Sequence, residues 1–116
     1  MIFFIIRNLF TIINVILWNK KTFPFATIIS QHRKFHEEFS ELDKTRFKSK
    51  RYFEELADCY IVAFGMMRLD LRLSIKFLKA LDYYNCDSKI VSKAIKEKME
   101  INKRREWKYD NGVYHH

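Results

Sequence analysis

Apolar residues fill most of the first eighteen positions, MIFFIIRNLFTIINVILW, and Arg7, Thr11 and Asn14 recur among them at steps of four and three. That spacing draws the polar residues into one helical stripe and leaves a broad apolar face around it. It predicts a helix from Ile2 to Trp18 that stops before Asn19, Lys20 and Lys21. The polar interruptions argue against a membrane span. The lack of a basic leader and a small-residue cleavage site argues against a signal peptide. The helix is therefore expected to serve as core or subunit interface.

Pro24 breaks the chain in TFPFAT, and Thr27 or Ser30 can cap a second helix running from Gln31 to about Asp43. KTRFKSKR follows as a basic connection. A third helix is predicted from near Lys50 to Leu69, burying Leu56, Tyr60, Val62, Ala63, Met66 and Met67. A fourth runs from Leu71 to Tyr84. A fifth is capped by Asp87 or Ser88 and lasts until the turn at Asp110 to Gly112. Two glycines and one proline leave few breaks in 116 residues. The expected fold is all-α, one domain built as a compact bundle of about five helices.

Charge changes the picture. Lys and Arg number 22 against 14 Asp and Glu, a net charge of +8 that suits a polyanionic partner. Yet six of the acids crowd into Glu37, Glu38 and Glu41, then Glu54, Glu55 and Asp58. Residues three apart share a helical face, so Glu38 projects with Glu41 and Glu55 with Asp58. If the two helices form an antiparallel hairpin turning at residue 48, Glu38 faces Asp58 and Glu41 faces Glu55. Four unpartnered carboxylates on one seam would repel one another and resist ionisation. A hard divalent cation removes that cost, and oxygen ligands suit Mg²⁺, with Mn²⁺ as a substitute. Glu38, Glu41, Glu55 and Asp58 are the predicted metal ligands. A plainer arrangement competes with this, in which Lys34 pairs with Glu38 and Arg51 with Glu55 across one helical turn. His36 fits a surface role better than a ligand role. Cys59 and Cys86 match no metal or redox spacing and read as reduced, half-buried helix residues of a cytoplasmic protein.

The sequence EExxE at Glu37, Glu38 and Glu41, followed after thirteen residues by ExxD at Glu55 and Asp58, resembles the signature of the MazG-like nucleoside triphosphate pyrophosphohydrolases. The flanks are most similar to the small, phage-type dATP/dGTP (MazZ-like) group: Trp18 with TFPFAT at Thr22 to Thr27, then Lys98, Asn102, Arg105 and Trp107. The resemblance covers roughly Trp18 to the C-terminus and leaves Met1 to Leu17 and Leu69 to Ser92 unmatched. It implies a Mg²⁺-dependent hydrolase that splits a deoxynucleoside triphosphate, a purine one by preference, between its α and β phosphorus atoms. Monophosphate and pyrophosphate are the products. Glu37, Glu38 and Glu41 become the catalytic carboxylates, with the choice between Glu37 and Glu41 for orienting the water left open. No serine, cysteine or histidine nucleophile is required.

Lys98, Asn102 and Arg105 follow a helical stripe and are the expected contacts to phosphate, sugar or base. Trp18, Phe23 and Trp107 are candidates for stacking a base, although aromatic residues at helix ends also serve as packing. The resemblance and the apolar excess together imply a homodimer or homotetramer. Two other classes compete. A basic helical nucleic-acid-binding module would use KTRFKSKR, but six neighbouring carboxylates would repel a phosphate backbone, so no stable nucleic-acid complex is expected. A peripheral membrane protein would use the first helix and leave the acidic motifs unexplained.

Overall fold

The computed structural model describes residues 1–116 and is mostly helical, with one small hairpin at its end. Six helices follow in order: α1 (Ile2–Arg7), α2 (Leu9–Thr22), α3 (Ile28–Asp43), α4 (Lys50–Gly65), α5 (Leu71–Asp82) and α6 (Ser88–Arg104). A single 3₁₀ turn, Met66–Arg68, joins α4 to α5, and strands β1 (Lys108–Asp110) and β2 (Val113–His115) pair antiparallel. Helix α4 occupies the centre and packs against α2, α3, α5 and α6. Its sequence explains why. Leu56, Ala57, Cys59, Tyr60, Ala63 and Phe64 are buried together, so the helix is apolar around most of its circumference.

Local chemistry sets the boundaries. Thr27 caps α3 and forms a reciprocal capping box with Ser30, whose hydroxyl accepts the Thr27 backbone N–H. Ser49, Asp70 and Asp87 cap α4, α5 and α6 through their side-chain oxygens. The connection from Lys44 to Ser49 is a turn in which Lys48 adopts φ 63°.

Beyond an earlier start of α3, at Ile28 rather than Gln31, and an earlier end of α4, at Gly65 rather than Leu69, three boundaries differ from the sequence expectation for a visible reason. The first predicted helix is two helices, because Asn8 is buried and its Nδ2 donates to the Phe4 carbonyl at 2.8 Å, competing with the helical ladder. The second of these continues past Trp18 to Thr22, since Asn19 is also buried and its Oδ1 accepts from Arg68 Nε at 2.8 Å. The fifth predicted helix ends at Arg104. Beyond it, Asp110, Asn111 and Gly112 turn a β-hairpin, with Asn111 at φ 51° and Gly112 at φ 76°. The two cysteines also part company: both are free, Cys59 buried and Cys86 exposed.

Asn19 imposes a demand on α4. A Cβ at Gly65 would lie 2.5 Å from Asn19 Nδ2. Glycine to alanine inside a helix ordinarily stabilises it. Here Gly65→Ala is expected to destabilise the fold by about 1–3 kcal/mol, because Arg68 holds Asn19 from the other side and the overlap cannot relax cheaply. Thermal denaturation of the variant checks the sign.

The N-terminal helices bury only one side. Phe4, Ile12 and Val15 face the core, whereas Phe3 is 84% and Phe10 85% exposed, with Ile2, Ile6, Ile13 and Leu17 beside them. No helix is long and apolar enough to cross a membrane.

Candidate active site

Helices α3 and α4 pack side by side across the Lys44–Ser49 turn, and their facing carboxylates meet. Glu38, Glu55 and Asp58 each offer an oxygen to a group whose atoms lie within 4.8 Å of one another. All three are half-buried, on the wall of a cleft of about 290 Å³. Glu41 lines the same cleft nearer the surface, outside that tight group. Glu37 is exposed and does not line it, since one residue along a helix turns a side chain by about 100° from Glu38. His36 is exposed as well, and packs against the His32 and Phe77 rings.

Cations surround the cluster. Lys34 Nζ lies 3.2 Å from Glu38, Arg51 Nη2 3.7 Å from Glu41, Arg51 Nε 4.0 Å from Glu55, and Lys98 Nζ 3.2 Å from Asp58. Both helical-turn pairings weighed against a metal site are thus formed. They do not cancel the cost of the arrangement. Burial pushes the Asp58 carboxyl up to about 7, against the pull of Lys98 and with a further push from Glu38 and Glu55. Burial, then the neighbouring Glu38, also raises Glu55, with Lys98 and Arg51 opposing. Two acids on one seam therefore resist ionisation even with their cations in place. An all-oxygen set of three carboxylates fits a hard divalent cation and offers a thiophilic metal nothing.

The remaining walls come from distant parts of the chain. Lys98 and Asn102 project from α6, and Arg105 follows at its C-cap, where Nη1 donates to Asn102 Oδ1 at 3.4 Å. At the other end, aromatic rings pack edge to face. Ring centroids are 5.1 Å apart for Trp18 and Phe23, 5.0 Å for Phe23 and Trp107, and 6.1 Å for Trp18 and Trp107. Trp107 is fixed by its Nε1, which donates to the Asn102 carbonyl at 3.1 Å. The C-terminal hairpin folds back over this end. The Tyr114 hydroxyl accepts the Phe25 backbone N–H at 3.1 Å, and the His116 ring packs against Trp107. Burial and the adjacent Arg105 hold the His116 imidazole below the usual histidine value.

One cleft therefore gathers Glu38, Glu41, Glu55, Asp58, Lys98, Asn102, Arg105, Trp18 and Phe23. Of the residues singled out from sequence, only Glu37 falls outside it. The chain matches no protein-family model, no curated protein and no solved structure. The site must be read from its chemistry.

Sequence reasoning passed over Asn19, Gln31 and Tyr114, which line the cleft, and weighed Lys34, which lines it too, only as the partner of Glu38. For Gln31 the signal was present. It lies seven residues before Glu38, two helical turns along the same face. The hairpin pair was signalled by Asn-Gly between two short runs, a sequence that reads equally well as the end of a helix.

Proposed function

We propose that this chain is a divalent-metal-dependent nucleoside triphosphate pyrophosphohydrolase of MazG-like type, acting on a purine deoxynucleoside triphosphate. One observation carries the reading. The mirrored carboxylates converge within a cleft that also has a cationic wall and an aromatic end, which is the division of labour a nucleotide asks for.

Glu38, Glu55 and Asp58 would hold Mg²⁺, with Glu41 beside them, and the ion when bound would neutralise charge on the triphosphate and polarise the reacting phosphorus. Arg105 offers positive charge to phosphate oxygens, and so would Lys34 and Lys98, which pair with Glu38 and Asp58, once a cation took over those carboxylates. Trp18, Phe23 and Trp107 offer ring surface to the base. Water adds to the α-phosphorus and the bond from that atom to the αβ bridging oxygen breaks, so pyrophosphate leaves with the electron pair. A carboxylate must take the proton of the attacking water. Glu41, on the cleft wall, is better placed for this than the outward-facing Glu37. The cationic run KTRFKSKR gives the nucleic-acid reading little help. Lys44, Lys50 and Arg51 are spent on Glu41, Glu54 and Glu55. The exposed apolar face of α1 and α2 supports a homodimer or homotetramer, for which a second copy would supply the missing cover.

The direct test is pyrophosphate release from the four dNTPs and dUTP with Mg²⁺ or with EDTA. Turnover that requires the metal and favours purines is expected. A folded protein that releases no pyrophosphate from any of them with Mg²⁺ present would overturn the assignment.

A further inference from the structure

Three lysine or arginine side chains line the cleft, and only one of them is free of carboxylates. Lys34 pairs with Glu38 and Lys98 with Asp58. Arg105 has no acidic partner, and what holds it instead is neutral. Its Nη1 donates to Asn102 Oδ1 at 3.4 Å and lies 3.1 Å from His116 Nε2. A guanidinium carries hydrogens and no free lone pair, so His116 Nε2 must be the acceptor. The imidazole in this contact is therefore the neutral ring, with its hydrogen on Nδ1. Both hydrogens of Nη1 are then engaged. Nε and Nη2, the parallel fork that meets two oxygens of one phosphate, have no protein partner.

His116 is itself held. Its ring packs edge to face on Trp107, with centroids 4.9 Å apart, and Trp107 Nε1 donates to the Asn102 carbonyl. Earlier in the hairpin, the Tyr114 hydroxyl accepts the Phe25 backbone N–H, and its ring packs on Phe23 with centroids 4.8 Å apart. Asn102, Arg105, Trp107 and His116 thus close a ring of contacts between the end of α6 and the residue that follows β2. A free arginine loses rotamer freedom when it binds an anion, and one already held has less to lose.

We propose that His116 is a positioning residue for the substrate: its neutral imidazole aims Arg105 so that the Nε–Nη2 edge receives a phosphate group of the nucleotide. The proposal rests on the nucleotide-hydrolase reading above and deepens it, giving the C-terminal hairpin a part in phosphate binding. Histidine serves here through the lone pair on Nε2 and transfers no proton. A carboxylate in its place would hold Arg105 more firmly but cancel its charge, as Glu38 and Asp58 do for Lys34 and Lys98. A neutral acceptor fixes the guanidinium and leaves its charge to the ligand.

The experiment measures kcat and KM for the four dNTPs with Mg²⁺, and calorimetric binding of inorganic pyrophosphate with Mg²⁺. The proteins are wild type, His116→Ala, His116→Gln, Arg105→Ala and the double alanine variant. His116→Ala is expected to raise KM and weaken pyrophosphate binding by about tenfold, with kcat altered by less than about twofold. His116→Gln supplies a neutral acceptor and should recover most of that loss. In the double variant the loss should match that of Arg105→Ala alone, since His116 acts only through the guanidinium. Wild-type values in His116→Ala would overturn the role, as would equal defects in the alanine and glutamine variants or losses that add in the double variant. If no nucleotide is hydrolysed, the hydrolase reading fails, and the pyrophosphate titrations still decide the role of His116. Weaker binding in His116→Ala that glutamine restores supports it. Binding that is absent in the wild type, or indifferent to residue 116, refutes it.

Discussion

Replacing Glu38 by glutamine is expected to lower Mg²⁺-dependent pyrophosphate release by about 10²- to 10⁴-fold, the range lost when a carboxylate at a reacting centre is removed. Glu38 sits where α3 meets α4, contributes an oxygen to the tight carboxylate group, and raises the pKa values of both Glu55 and Asp58. Glutamine keeps its size and removes its charge, so helix content and thermal stability should change little beyond the loss of the ion pair with Lys34. The informative comparison is Glu37→Gln, one position away in the same EExxE stretch. Its side chain is exposed and off the cleft, so a far smaller loss is expected. Equal losses in the two variants would show that the motif works through something other than the cleft geometry.

The second large effect concerns pH. Asp58 has an ordinary value of 3.8 and reaches about 7 in the folded protein, driven first by burial. Between those values the folded state binds a proton that the unfolded state has released. Stability of the metal-free protein should therefore fall as pH rises from about 4 to 7, by an amount of up to about 4 kcal/mol for this group alone. Above pH 7 both states are ionised and the loss is complete. The measurement is denaturation in EDTA at a series of pH values from 5 to 8, for wild type and Asp58→Asn. The variant should show a flatter profile over that window, whatever its absolute stability without the Lys98 pair. Adding Mg²⁺ should raise wild-type stability more at pH 8 than at pH 5, because a metal must displace the proton to bind. A wild-type profile that rises with pH in EDTA no less steeply than the variant's would sink this account of the site.

The helical architecture was legible because the signals were local. Thr27 and Asp87, named from sequence as possible caps, do cap α3 and α6, and Leu56, Tyr60 and Ala63 are buried as their spacing on α4 requires. The convergence of Glu38, Glu55 and Asp58 was legible too, since equal spacing on two antiparallel helices brings them to one seam, whereas Glu41, expected opposite Glu55, lies outside the tight group. What escaped depends on long-range contacts. Nothing near Asn19 in the chain indicates that Arg68, 49 residues away, will accept it as a buried partner and carry α2 through an apparent turn. Asn8 is similar: a polar residue in an apolar run is ordinarily placed outward, and here it turns inward onto a carbonyl. The outward placement of Glu37 was open to periodicity, because Glu38 and Glu41 already define the inner face and Glu37 departs from it. The motif drew attention to all three acids, and the helix admits two.

Both tryptophans of the chain, Trp18 and Trp107, stand at the same end of the cleft with their rings 6.1 Å apart. Tryptophan emission, excited at the red edge where the six tyrosines absorb little, therefore originates entirely at the place where a base would stack, and the rest of the molecule is dark in that channel. A titration followed by tryptophan fluorescence reads occupancy without any label. A melting curve followed the same way reports the opening of this corner, and agrees with a calorimetric curve only if the corner and the α4 core come apart together.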